Sequence, residues 1–212
     1  MKKTMMLIVL SIAFYGNIEA KKKFIPAIFF LHDGTQIECF SREIWSLKAN
    51  EIPYKESKKS NVKIMKSVDI KTILYMYNDG KVSEWDYCSV ISIHSLSRGI
   101  EKIEPLWLNV KTRGIVTLYE NTSFVKERYG RDSYIVKKVY SYYCIREDEI
   151  AASNILAYQS DHIFPKLASD YFSDSPEISK NILQKVKGYE AKDIVEIVFE
   201  YNSEKLAKIN SK

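Results

Sequence analysis

The sequence predicts an α+β fold in which an antiparallel β-rich body, a small barrel or roll plus further hairpins, is followed by three short C-terminal helices. Fifteen Tyr and nine Phe stand against seven Gly, and aromatic side chains pack well on a pleated sheet. Short extended runs separated by turn residues recur as far as Ala151. Beyond it, apolar residues recur every three or four positions, which is the helical period.

Residues 1–20 have the layout of a secretory signal peptide. Lys2 and Lys3 precede an apolar run, and Ala20 supplies a small residue for cleavage. The run, 5–15, has eleven residues, whereas a membrane-spanning helix needs about twenty. We therefore expect a cleaved leader and a periplasmic or secreted protein. Three lysines directly after the leader are unusual, and they leave an uncleaved anchor in the inner membrane as the alternative.

The composition is that of a globular protein, with 46% hydrophobic and 28% charged residues. Cleavage lowers the net charge from +5 to +4, because Lys2, Lys3 and Glu19 leave together. This excess of positive charge is small and spread along the chain, so it does not indicate a nucleic-acid partner. No transmembrane span is expected once the leader is removed.

The three cysteines are Cys39, Cys88 and Cys144, which lie far apart in the sequence. Their odd number permits at most one disulfide, and which two would pair is left open. We interpret them as small buried hydrophobic residues. No CxxC and no Cys/His spacing typical of zinc sites occurs, so neither a metal nor a cofactor is predicted.

Residues 21–104 are predicted to form a β-rich roll. Asp33-Gly34 and Asp79-Gly80 each separate two extended runs, which indicates hairpins with two-residue turns and positive φ at both turn positions. Shorter candidate strands occupy 51–54 and 61–65. Strands this short and this closely spaced are typical of a small antiparallel barrel or roll.

Residues 105–158 are predicted to be a second β-rich section of the same body, with a turn at Gly130. Residues 159–204 should form a helical cap and 205–212 a frayed tail. In the second helix, Ser175 is expected to cap the start, Pro176 to occupy the first turn and Gly188 to end it. The third helix should begin at about Ala191. The residues expected to face inward are Phe164, Leu167, Ala168, Tyr171, Phe172, Ile178, Ile182, Leu183, Val186, Ile194, Val195, Val198 and Tyr201.

Three segments, "LHDGTQIECF", "ASDYFSDSPEISKNI" and "KDIVEIVFEYN", together resemble a group of uncharacterised exported proteins from Bacteroidetes. In that group a leader precedes a β-rich body that opens with a D-G turn, and the tail reads Y-F-x-D-C-P, then a helix, D-I-x-x-I-V and Y-N. Ser175 stands where the pattern has Cys, so a disulfide or redox role does not carry over. The group has no established activity, so the resemblance implies only export and a fold. The matching tail positions are Tyr171, Phe172, Asp174, Pro176, Asp193, Ile194, Ile197, Val198, Tyr201 and Asn202.

One local set has residue types suited to nucleophilic catalysis: Asp86, Cys88 and His94. On a strand all three face one side, but Cys88 and His94 would lie ~20 Å apart at ~3.3 Å per residue, which is beyond hydrogen-bond reach. Common hydrolase and nucleotide-binding motifs are absent from the sequence. No catalytic residue is therefore assigned. The alternative is a cell-envelope hydrolase of glycan or peptide whose acidic residues meet only in the fold.

Basic and aromatic residues alternate between Phe124 and Glu147. If exposed, they could stack on sugar rings and attract acidic groups, or bind an envelope protein. The competing interpretation is that the tyrosine rings pack inside the body. The sequence thus predicts a non-catalytic exported interaction or structural module. Its candidate binding residues are Lys126, Arg128, Tyr129, Arg131, Tyr134, Lys138, Tyr140 and Tyr142.

If the leader is cleaved as expected, the mature protein begins at Lys21. Intact-mass measurement of protein from the periplasm or medium should give the mass of residues 21–212. A full-length species that resists carbonate extraction from membranes would instead establish the anchor.

Overall fold

The computed structural model describes residues 23–93, 101–128, 133–156 and 162–211. In these residues a strand-rich body precedes three α-helices, which confirms the predicted α+β class. No helix within them is long and apolar enough to span a membrane. Residues 1–20 and Gly130 lie outside the described residues. The strands are β1 Phe24–Leu31, β2 Gln36–Arg42, β3 Glu51–Lys55, β4 Lys63–Lys66, β5 Ile70–Met76, β6 Val82–Ile93, β7 Glu101–Thr112, β8 Val116–Arg128, β9 Tyr134–Arg146 and β10 Ala152–Leu156; the helices are α1 Phe164–Tyr171, α2 Pro176–Leu183 and α3 Ile194–Asn210.

The described strands form one sheet that closes on itself at one end. Their order is β10-β9-β8-β7-β6-β5-β1-β2-β3-β4. Strand β10 also pairs in parallel with β6, through Ala152 opposite Val90 and Ser153 opposite Ile91. This contact closes β6 to β10 into a five-stranded barrel, and the remaining strands extend from it as an open sheet.

The closed part of the sheet begins with β6, inside the segment 21–104 to which the roll was assigned, and most of it lies further along the chain. Strand β7 passes without a break through Pro105, which lies opposite Ser89 of β6. The two predicted β-rich sections are therefore one sheet. Pro105 does not interrupt the sheet, because a proline can occupy a strand position that does not donate a ladder hydrogen bond.

The two Asp-Gly turns are present, but their geometry differs from the prediction. The Leu31 carbonyl accepts a bond from the Gly34 N–H at 3.2 Å, and the Leu31 N–H donates to the Thr35 carbonyl at 2.9 Å. Only the glycine has positive φ, at 87°, so the loop is a type I turn followed by a left-handed glycine. Asp33 instead uses its Oδ1 to accept the Thr35 N–H at 2.8 Å. The Asp79-Gly80 turn repeats the pattern.

Three apolar clusters fill the core of the described part of the chain. The open sheet buries one, centred on Phe29, Ile73 and Trp107. The barrel interior holds the second, to which each barrel strand contributes; its buried members are Val90, Leu106, Leu108, Tyr119, Tyr143 and Ala152. The third lies between the outer face of β8–β10 and the helices; its buried members are Val116, Leu118, Cys144, Ile155, Leu156, Phe164, Ala168, Phe172, Ile178, Ile182, Ile194, Ile197, Val198 and Tyr201.

The end of α2 corrects two sequence predictions. Leu183 and Val186, expected to be buried, are 59% and 40% exposed. The helix ends because Lys185 adopts a left-handed φ of 53°, with the Val186 N–H bound to the Asn181 carbonyl at 3.0 Å. This is a Schellman ending. Gly188, at φ 92°, therefore lies in the following turn and does not end α2.

The start of α2 and the end of α3 also differ from expectation. Ser175 occupies the N-cap position of α2, but its hydroxyl makes no cap bond and donates to Glu204 of α3. Helix α3 continues to Asn210, so residues 205–210 are not frayed. The Lys205 side chain is only 17% exposed, and its Nζ donates to the Asp174 carbonyl at 2.8 Å.

Two phenylalanines make a matched test of the helical cap. Phe172 is fully buried and Phe199 is 66% exposed. Phe172→Ala should lower the free energy of unfolding by about 3–5 kcal/mol, because it opens a cavity in the core under the helices. Phe199→Ala should change it by less than about 0.5 kcal/mol. Urea melts measure both, and equal stability of the two variants would show that the helices do not pack as described.

Candidate functional site

The hairpin of β8 and β9 is longer than the barrel to which it belongs. Its two strands have thirteen residues each and pair without interruption from Val116 opposite Arg146 to Arg128 opposite Tyr134. Among the described residues, β7 pairs with β8 no further than Glu120, and β10 pairs with β9 no further than Tyr142. The end of the hairpin beyond these two residues therefore projects from the sheet.

The alternation of the two strands places most of the predicted binding residues on one side of this projecting end. Phe124 lies opposite Lys138, and Lys126 opposite Val136. Phe124 is 71% and Tyr134 63% exposed. We call the set the hairpin face; its described members are Phe124, Lys126, Arg128, Tyr134, Val136, Lys138 and Tyr140. Two further predicted residues, Tyr129 and Arg131, lie outside the described residues.

Two members of the hairpin face, Phe124 and Val136, were not among the residues predicted from the sequence, which were tyrosines and cations. Strict alternation along two paired strands, read from Tyr134 and Lys126, would have placed both on this side.

Tyr142 lies on the same side of the hairpin as the hairpin face, but its environment is different. It is half-buried and packs against the apolar cluster beneath the helices. Its hydroxyl donates to Glu120 at 3.1 Å. Burial, and then the Glu120 charge, raises the pKa of Tyr142 to about 12. Tyr142 therefore joins the hairpin to the body, as the packing interpretation expected, while Tyr140 two residues away is 41% exposed.

The hairpin face is positively charged. Its three charged members, Lys126, Arg128 and Lys138, are all cations. The Lys138 Nζ lies 4.9 Å from the centre of the Tyr140 ring, a cation–π contact. On the opposite side of the hairpin, Lys137 forms an ion pair with Glu127. Positive charge is thus concentrated on the side that carries the exposed aromatic rings.

Asp86 is buried at one end of the barrel and is fully engaged. It accepts hydrogen bonds from Thr72 Oγ1 at 2.7 Å, Arg113 Nη2 at 2.9 Å and Tyr119 OH at 2.8 Å. Together these bonds satisfy both carboxylate oxygens. Arg113 also bonds Glu84. The cluster joins β5, β6 and β8 and serves to hold the strands in place, because a buried carboxylate is costly without such partners.

Cys88 does not have the properties of a nucleophile. Burial, followed by the charge of Asp86, raises the pKa of Cys88 to about 12, and the thiolate is the reactive form. His94, its predicted partner, lies outside the described residues. All three cysteines are free. Within the described part of the chain, no cluster of three or more His, Cys, Asp or Glu side chains could hold a metal ion.

Tail positions that carry the resemblance converge on Arg146 of β9. Its Nη2 donates to the Tyr171 carbonyl at 2.6 Å, and its guanidinium lies 4.2 Å from the centre of the Tyr171 ring. Tyr201 OH and Lys205 Nζ both bond Asp174 Oδ2, each at 2.7 Å. Burial alone would raise the pKa of Asp174, but these two bonds outweigh it and lower that pKa. The network fastens the helices to the sheet.

The raised pKa of Cys88 predicts slow alkylation in the folded protein. At pH 8 a thiol with an ordinary pKa near 8.5 is about one-quarter ionised, whereas one near 12 is about 10⁻⁴ ionised. Iodoacetamide should therefore modify Cys88 at least about 100-fold more slowly in buffer than in urea. Peptide mass spectrometry gives both rates. Equal rates would show that Cys88 is exposed with an ordinary thiol pKa, and a faster rate in buffer would show that it is activated.

No protein family, curated protein or solved structure matches this chain.

Proposed function

We propose that the protein is an exported, non-catalytic interaction module of the cell envelope or surface, and that the hairpin face binds an acidic region of a protein partner. One observation carries the proposal: Phe124, Tyr134 and Val136 are 71%, 63% and 58% exposed on a hairpin that extends past its neighbouring strands. The signal-peptide-like start of the chain supports export.

The grouping of these side chains favours binding over chance exposure. Single exposed apolar residues are normal, but a contiguous apolar patch rimmed by polar groups marks an interaction site. Phe124 of β8 pairs with Lys138 of β9, and Val136 of β9 pairs with Lys126 of β8. The two pairs are neighbours on the hairpin face. Aromatic side chains and arginine are also enriched at the centres of protein interfaces.

The shape and charge of the hairpin face favour an acidic protein surface. A sugar platform needs flat rings alone, whereas the hairpin face also presents the aliphatic Val136, 58% exposed. A paired hairpin also offers a straight ridge that can lie along another protein. Three cations without an acidic residue among the described members of the face would attract a negatively charged partner.

The hydrolase alternative gains no support from Asp86 or Cys88. Asp86, the most deeply buried carboxylate near Cys88, already accepts three hydrogen bonds. Cys88 remains a thiol because of its raised pKa. Neither group is available to activate a nucleophile.

The double variant Phe124→Ser/Lys138→Glu tests the proposal. The immobilised protein is incubated with envelope extract, and the captured proteins are quantified by mass spectrometry. At least one acidic protein should be captured about tenfold less by the variant. Its capture by the wild-type chain should also fall as salt rises from about 0.05 to about 0.5 M.

Lys137→Glu is the matched control, because it changes charge in the same way on the opposite side of the hairpin. It should capture the partner nearly as well as the wild type. Urea melts should show that both variants are folded, since the substituted side chains are exposed. Capture that is equally strong with the double variant, or insensitive to salt, would contradict the proposal.

A further inference from the structure

Helix α3 carries apolar side chains on a side that the sheet does not cover. The side chains that it buries against the sheet include Ile197, Val198 and Tyr201. On another side of the helix, Phe199 is 66% and Leu206 47% exposed. Residues three or four positions apart share one side of a helix, so this exposed side is continuous. We call it the α3 stripe; its members, all exposed, are Glu196, Phe199, Glu200, Ser203, Leu206, Ala207 and Asn210.

The α3 stripe is acidic, in a chain that carries an excess of positive charge. Its two charged members, Glu196 and Glu200, are both carboxylates. Both oxygens of Glu200 lie 2.8 Å from the Tyr189 OH, a neutral donor that orients the carboxylate and leaves its charge in place. Lys208, on another side of the helix, pairs with Glu204. Exposed apolar side chains beside carboxylates favour a partner that presents apolar side chains beside cations.

The hairpin face of the same chain has the complementary composition and a matching spacing of charge. Lys126 and Lys138 are diagonal neighbours across the hairpin, which places their Cα atoms about 7–8 Å apart. Glu196 and Glu200 are one helical turn apart, with their Cβ atoms separated by about 5–6 Å. Lysine ammonium groups on flexible stems can adjust to this small difference. Both surfaces are also about 20 Å long, at ~1.5 Å per residue along a helix and ~3.3 Å along a strand.

The hairpin face and the α3 stripe lie on the same side of the sheet. Alternate residues of a strand share a side, and the hairpin face falls in the same alternation as Val116, Leu118 and Cys144, which the helices cover. Phe124 and Phe199 are both exposed, so the two surfaces of one copy do not cover each other. Two copies related by a two-fold axis can therefore place each hairpin face on the α3 stripe of the other copy, which is an isologous contact.

We propose that the protein forms a reciprocal dimer, in which the hairpin face of each copy binds the α3 stripe of the other. Phe124 and Val136 pack against Phe199 and Leu206, and the lysines of the hairpin face meet the two glutamates of the stripe. The inference rests on the proposed function, because it uses the same hairpin face and names a second copy of the chain as its partner. An acidic envelope protein would displace the second copy, so the dimer is the form that the chain takes without that protein.

Two charge-reversed chains test the dimer by sedimentation velocity, on protein recovered from cells that express the full chain. One carries Lys126→Glu/Lys138→Glu and the other Glu196→Lys/Glu200→Lys. The wild type should dimerise with a dissociation constant of about 10–100 µM in about 0.05 M salt. Each variant alone should dimerise at least about tenfold more weakly, because like charges then face each other. An equimolar mixture should recover the affinity of the wild type, because every hairpin face then meets a stripe of opposite charge.

Lys137→Glu, on the opposite side of the hairpin, is the matched control and should dimerise like the wild type. Urea melts at about 1 µM, where the chain is mostly monomeric, should show that every variant is folded. The proposal is overturned if the wild type is still monomeric at about 0.5 mM, or if the mixture dimerises no better than either variant alone.

The dimer and the envelope partner can fail separately. A wild-type chain that captures an acidic envelope protein but stays monomeric would overturn the dimer and leave the proposed function in place. A dimer that follows the charge reversals, with no envelope protein captured, would support the dimer and contradict the envelope partner.

Discussion

The parallel contact between β10 and β6 is the constraint on which the rest of the architecture depends. It consists of Ala152 beside Val90 and Ser153 beside Ile91, between strands that are far apart in the chain. By closing the barrel, it encloses residues such as Tyr143 and removes an edge that would otherwise invite pairing with another chain. It also holds β8, β9 and β10 as a fixed outer surface, and the helices need this surface to bury their apolar stripes.

The helices are fastened to that surface by polar bonds that leave little freedom. Asn202 donates from Nδ2 to the Val116 carbonyl at 2.9 Å and accepts the Val116 N–H at Oδ1 at 2.8 Å. The nearby Gly114 must lack a side chain, because a Cβ there would lie 2.4 Å from Asn202 Nδ2. One buried amide thus satisfies both backbone groups of a strand residue, as burial requires. Arg146 makes the second attachment, to the Tyr171 carbonyl.

The sequence predicted features that depend on neighbours along the chain, and it failed where distant residues decide. The helical period from Phe164 onward and the two Asp-Gly hairpins were identified, since both signals are local. Strand β10, directly after Ala151, was not. The attachment of Asn202 to Val116 spans 86 positions and leaves no local pattern. Tyr140 and Tyr142 look alike in sequence and share one side of the hairpin, yet only Tyr140 is exposed. Their difference is that Tyr142 packs against the apolar cluster beneath the helices, which no property of either tyrosine reveals.

The same geometry bears on why cations alternate with apolar residues on the hairpin face. Lysines also occur on exposed strands because they prevent aggregation. That purpose alone would be one explanation of Lys126 and Lys138 beside Phe124 and Val136. Protection, however, works with charge of either sign. On the opposite side of the hairpin, which meets the same risk, Lys137 is paired with Glu127. Attraction of an oppositely charged surface requires charge of a single sign on the side that holds the aromatic rings. Protection against aggregation alone does not account for that arrangement.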